Sequence, residues 1–123
     1  MTTNKNLSHR KDKEIIGIGI RLFLNNDTAE LTIQSVMNDS PAASADIQPN
    51  DVIIKIDGKS TKGMVIREAV SLMKGSINKP IKLVLFRVNE SGKKEKINVR
   101  LVRDTFKVPN EEYLYEGDMR RQL

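Results

Sequence analysis

Cysteine is absent and histidine occurs once, as His9. The first absence excludes a disulfide framework and thiol redox chemistry. The second leaves too few ligands for a zinc site, which usually takes several His or Cys side chains. There is no Trp, and only three Phe and two Tyr, so aliphatic side chains must build the core. Scarce aromatics also leave few platforms for stacking nucleobases. The basic surplus, 21 Lys and Arg against 16 Asp and Glu for a net charge of +5, is interspersed along the chain. It therefore reads as a solvated surface, and no nucleic-acid partner is expected. No stretch approaches the ~20 apolar residues of a membrane span, and residues 1–13 are polar and cationic without the apolar segment of a secretory signal. No cofactor and no membrane partner are expected.

What is present fits one domain. The 123 residues fall in the usual domain range, and a chain of this size buries roughly two-thirds of its unfolded surface. Residues 1–13 read as a basic flexible tail and 14–109 as the folded part. Residues 110–123 are charged and aperiodic and read as a tail that frays or forms one loose helix. Ile15 to Leu24 is apolar and β-branched, a strand interrupted by Gly17 and Gly19. Leu31 to Val36 alternates apolar and polar, as a half-buried strand does. Ser40 can cap a short helix, with Pro41 in its first position. Pro49-Asn50-Asp51 turns into the strand Val52 to Ile56, and Asp57-Gly58 is a tight turn after it.

Ile66, Ala69, Val70 and Met73 recur at helical spacing, with Leu72 widening the stripe, which predicts a helix over Val65 to Lys74. Gly75 stands where a left-handed helix terminus would place it. Ile81 to Val88 and Ile97 to Val102 then form a β-hairpin. The expected fold is mostly β with two helices, a small antiparallel β-sandwich or partly open barrel capped by helices.

Three segments in order carry a family resemblance. Gly17-Ile18-Gly19-Ile20 looks like the Gly-φ-Gly-φ loop of PDZ domains. Ser40 through Gly58 resembles their central signature, and Arg67 to Gly75 their second helix. This last segment, with Arg87 and the stretch from Val102 to Pro109, is most similar to the PDZ domain of carboxyl-terminal processing proteases, which are Ser-Lys proteases. Where relatives usually carry Gly, this chain has Asp46 and Asn50. Both positions are expected at positive φ, which Asp and Asn tolerate best among residues with a side chain. Val65, in place of a capping Ser or Thr, should let the second helix fray.

The resemblance implies a groove that captures an extended peptide by strand addition. Its carboxylate would sit on the N–H groups of Ile18, Gly19 and Ile20. The walls would be Ile20 and Leu22 from the strand and Ile66, Val70 and Met73 from the helix. Lys13, or secondarily Arg21, would add charge assistance. The implied partner is a C-terminal or unstructured peptide with an apolar terminal residue. By periodicity alone, the two glycines can merely shape a bulged strand and the helix residues read as ordinary core; the ordered set of motifs reverses that weighting in favour of a groove. Replacing Gly19 with Val is expected to cost the fold only about 1–3 kcal/mol.

No catalytic residues are assigned: the Ser residues lie in turn, cap, helix or tail settings, and His9 lies in the N-terminal tail. The chain is therefore read as the substrate-recognition domain of a processing protease, with a catalytic domain in cis. The alternative is a free-standing adaptor binding a partner's C-terminus. If Met1 is the native start, the expected location is the cytoplasm; if the chain is excised from a processing protease, it is the periplasm or cell envelope.

Overall fold

A computed structural model describes residues 13–108 and 121–122. Strand β1 (Lys13–Gly17) pairs antiparallel with β8 (Asp104–Val108) in a sheet of two. The second sheet runs β7-β6-β4-β3-β2-β9, with β5 beside β4. Its strands are β2 (Ile20–Leu24), β3 (Leu31–Val36), β4 (Val52–Ile56), β5 (Lys59–Ser60), β6 (Pro80–Val88), β7 (Lys94–Val102) and β9 (Arg121–Gln122). All pairings are antiparallel, and the sheet does not close into a barrel. Two helices, α1 (Pro41–Ser44) and α2 (Ile66–Met73), complete the fold.

The long apolar run from Ile15 to Leu24 is not one strand. The chain leaves the small sheet after Gly17, turns at Ile18 and Gly19, and enters the large sheet at Ile20. The glycines thus make a corner between sheets, while the register irregularity of β2 falls later, between Arg21 and Leu22. Ile20, Leu22, Ile33, Ile53, Ile56, Ile81, Leu83 and Leu85 are buried and pack as one aliphatic core. Each such side chain contributes about 1.5–3 kcal/mol relative to exposure, which is how the fold is held with few aromatics, Phe106 being the buried one. Amphipathic α2 adds Ala69, Val70 and Met73 to this core, against β2 and β4.

Local signals explain most of the turns. Ser40 caps α1, its Oγ accepting from the Ala43 N–H at 3.2 Å and donating to the Met37 carbonyl at 2.7 Å. Asp46 and Asn50 adopt φ of 60° and 75°, as expected of residues standing in for Gly. Asp57 and Gly58, at 48° and 82°, form the two-residue turn between β4 and β5. The loop over residues 46–51 is pinned by Asp51, 1% exposed. Its carboxylate accepts Arg87 Nε and Nη2, both at 2.8 Å, and the Gln48 N–H at 2.9 Å. Arg87 Nη2 also donates to the Asp46 carbonyl at 2.9 Å. The hydrogen bond to Asp51 raises the pKa of Arg87 above its ordinary value.

Two expectations need correction, and the cap expected to be missing at Val65 is missing. Gly75 is not in the left-handed region; α2 closes on Lys74 with φ −69° and ψ 151°. Glycine is needed there because a Cβ would lie 2.7 Å from the guanidinium carbon of Arg103. That buried guanidinium donates to the carbonyls of Met73 (2.8 Å), Leu72, Lys79 and Pro80, and so satisfies the open end of α2 with a cation. At the other end of α2, Val65 offers no side-chain cap, but Glu68 Oε1 accepts the Val65 N–H at 3.3 Å and supplies half of a capping box. Finally, the segment after residue 109 is not wholly aperiodic, since Arg121–Gln122 is a strand.

Candidate functional site

The corner at Ile18 and Gly19 determines where the main-chain donors point. The Ile18 carbonyl accepts the Ala42 N–H at 2.9 Å, and the Gly19 carbonyl accepts the Met37 N–H at 2.8 Å. In a planar trans peptide the next residue's N–H points opposite to the carbonyl. The N–H groups of Gly19 and Ile20 are therefore turned away from α1 and β3. Among the described residues, the N–H groups of Ile18 and Gly19 donate no hydrogen bond, although both residues are buried. A buried amide left unpaired costs about 1–3 kcal/mol, so these donors are a place where a ligand acceptor would be rewarded. Successive N–H groups turned to one side form a small anion-binding concavity.

Gly19 holds the corner for two reasons. Its φ is +86°, and a Cβ there would overlap the Cβ and Oγ of Ser40. Ser40 cannot yield easily, because it caps α1 and bonds to Met37. The expected cost of only about 1–3 kcal/mol for Gly19→Val is thus too low: strain and steric overlap add, and the change attacks the fold as well as the loop.

The other expected site residues fall around this corner. Ile20 and Leu22, both 0% exposed, belong to the shared core, as do Ile18, Val70 and Met73. Ile66 is half-buried and packs on the edge of that core. The helix and β2 are thus adjacent, with core side chains between them and Ile66 as the partly open position. Arg21 lies on β2 and is half-buried. Lys13 starts β1, with its main chain at the far end of that strand from Gly17, and its side chain lies outside the described residues.

One participant gave no signal in the sequence. β9 pairs antiparallel with β2 on the edge away from β3, with Arg21 opposite Gln122 and Leu22 opposite Arg121. Two residues are too short a run to show any alternation, and their partner lies a hundred positions earlier.

The corner, the strand edge leading from it and the helix alongside have the arrangement of a peptide-binding domain; the PDZ domain family model matches residues 7–85, and the chain belongs to that family. It is accordingly a non-catalytic module. Among curated proteins it is 36% identical over 106 residues to a carboxy-terminal-processing protease of Bartonella bacilliformis, covering 86% of this chain and 23% of that protein. It is 34% identical over 113 residues to a probable CtpA-like serine protease of Staphylococcus haemolyticus, covering 92% and 22% respectively. The chain therefore spans less than a quarter of the length of these relatives. Among solved structures it is similar to the PDZ domain of a carboxy-terminal protease from Vibrio cholerae in complex with peptide. There the TM-score is 0.67 and the identity 25%, over 78% of this chain and all of that one. The photosystem II D1 C-terminal processing protease shares the fold at a TM-score of 0.64 and 22% identity, over 72% of this chain and 23% of that one.

Proposed function

We propose that this domain captures polypeptide C-termini by adding them as a strand to β2, and that it is the substrate-recognition domain of a carboxy-terminal-processing protease. The observation that carries the reading is the buried corner where the strand edge begins: the Gly19 and Ile20 N–H groups are turned outward, and those of Ile18 and Gly19 donate to nothing among the described residues. A carboxylate accepts from all three at once, while the residues before it pair with β2. The terminal side chain lies against Ile20 and Val70, and the residue two places earlier lies near Ile66, with Leu22 and Met73 extending the apolar lining. The similarity to processing proteases, and to a PDZ domain solved with peptide, supports assigning this task to the domain. The domain selects and holds; bond cleavage belongs to a catalytic domain elsewhere in such a protease.

A short peptide in an open groove binds at micromolar strength, about −6 to −8 kcal/mol. The test is a calorimetric titration of the whole chain with a peptide ending in apolar residues, as free acid and as amide. The free acid should bind about tenfold more tightly, the equivalent of about 1.4 kcal/mol. Equal affinities would remove the amide corner from the site.

A further inference from the structure

The edge of β2 that a ligand needs is already paired. β9 occupies it in antiparallel register, so its chain direction runs toward the corner at Gly19, as an incoming C-terminal peptide would. We infer that the segment Arg121–Gln122 is an internal occupant of the groove, held in cis, which a ligand must displace. This rests on the reading of β2 as the ligand edge.

The chain can make the connection without a second copy. Val108, the last residue of β8, sits opposite Lys13, and Leu22 is nine positions beyond Lys13. The two ends to be joined are therefore at most about 40 Å apart, given a strand rise of about 3.3 Å per residue and about 5 Å across each pairing; the turn at Ile18 and Gly19 shortens this further. Residues 109–120 can span about 40 Å. A tether of this length holds its end at an effective concentration near the millimolar range. Even two rungs of strand pairing, weak in isolation, can then keep the edge occupied most of the time.

The occupancy is also built to be reversible. β9 pairs at Arg21 and Leu22, yet the Ile18 and Gly19 amides still donate to nothing among the described residues. The described internal pairing covers only Arg21 and Leu22 of the five residues of β2, so a longer extended ligand gains rungs of pairing with which to displace it.

The test compares the whole chain with the double variant Arg121→Pro/Gln122→Pro, because proline removes the N–H and is disfavoured inside strand pairings. Two readouts are taken: amide hydrogen exchange over residues 20–24, and binding of a labelled free-acid peptide ending Val-Ala-Leu. The expectation is exchange about tenfold faster and peptide affinity about tenfold higher in the variant. Identical exchange in both proteins overturns the inference, and the peptide reading survives if the probe still binds. An exchange difference with no peptide bound by either protein supports the internal strand and sinks the peptide reading. Protection that disappears on dilution assigns the strand to a second copy and overturns the cis contact.

Discussion

Two turns of this domain are built from similar material and finished differently. In the loop over residues 46–51, the buried Asp51 carboxylate has three donors, and Arg87 ties it to the Asp46 carbonyl as well. At the corner over residues 17–20, the Ile18 and Gly19 carbonyls are tied inward, while the N–H groups of the same two residues donate to nothing among the described residues. Both turns are held by positive φ, one through Asp46 and Asn50, the other through Gly19. The difference is what each is for. A turn whose buried carboxylate is fully partnered sets the architecture, and the proposed peptide site uses the turn whose buried donors have no partner among the described residues.

This contrast can be broken from either side. The largest effect should come from Gly19→Ala, where positive φ and overlap with Ser40 combine to cost about 3–5 kcal/mol of stability by urea denaturation. A loss below about 1 kcal/mol would mean that the corner relaxes freely and does not aim its donors. Arg87→Ala should come next, at about 3 kcal/mol, because it strands the buried Asp51 carboxylate. Peptide affinity measured on the folded fraction should not move, and a parallel loss of binding would blur the division between the two turns. With its pKa raised, Arg87 keeps its charge through neutral and moderately alkaline pH. Its contribution is present below the ordinary arginine value and is lost only above the still higher folded value. No decline from this pair is expected between neutral and mildly alkaline conditions.

The smallest effect concerns choice of ligand. Ile66 has no hydrogen-bonding group, so Ser two places before the terminus should bind roughly tenfold more weakly than an apolar residue there. Ile66→His should restore part of that loss for the Ser peptide alone. A library screen of the unmodified domain that returns mainly Ser or Thr at this place would move the ligand's second contact off Ile66.

Much of the fold was legible because it rests on local chemistry. Ser40 and Pro41 start α1, Val52 to Ile56 is a strand with the expected bounds, and Asp46 and Asn50 take the conformations that their side chains allow. Misreadings arose where distant residues decide. The alternation of β-branched residues from Ile15 to Leu24 cannot reveal that β1 pairs with β8 and β2 with β3. Gly75 looked like a helix terminus because that is the common use of glycine there, while its actual constraint is Arg103, nearly thirty positions away. At the site, the glycine corner was visible as a motif, but the direction of its donors depends on Met37 and Ala42. The strand β9 was invisible, since two polar residues have no pattern of their own.

Arg103 has a mechanical consequence. Its guanidinium grips the end of α2, one jaw of the proposed groove. The next residue, Asp104, pairs with Gly17 and anchors the strand that leads to the corner, the other jaw. Both jaws are thus mounted on a single axle made of two consecutive residues. The end of α2 and the strand leading to the corner are tied to adjacent points of the chain, and displacing one of the two residues shifts the other.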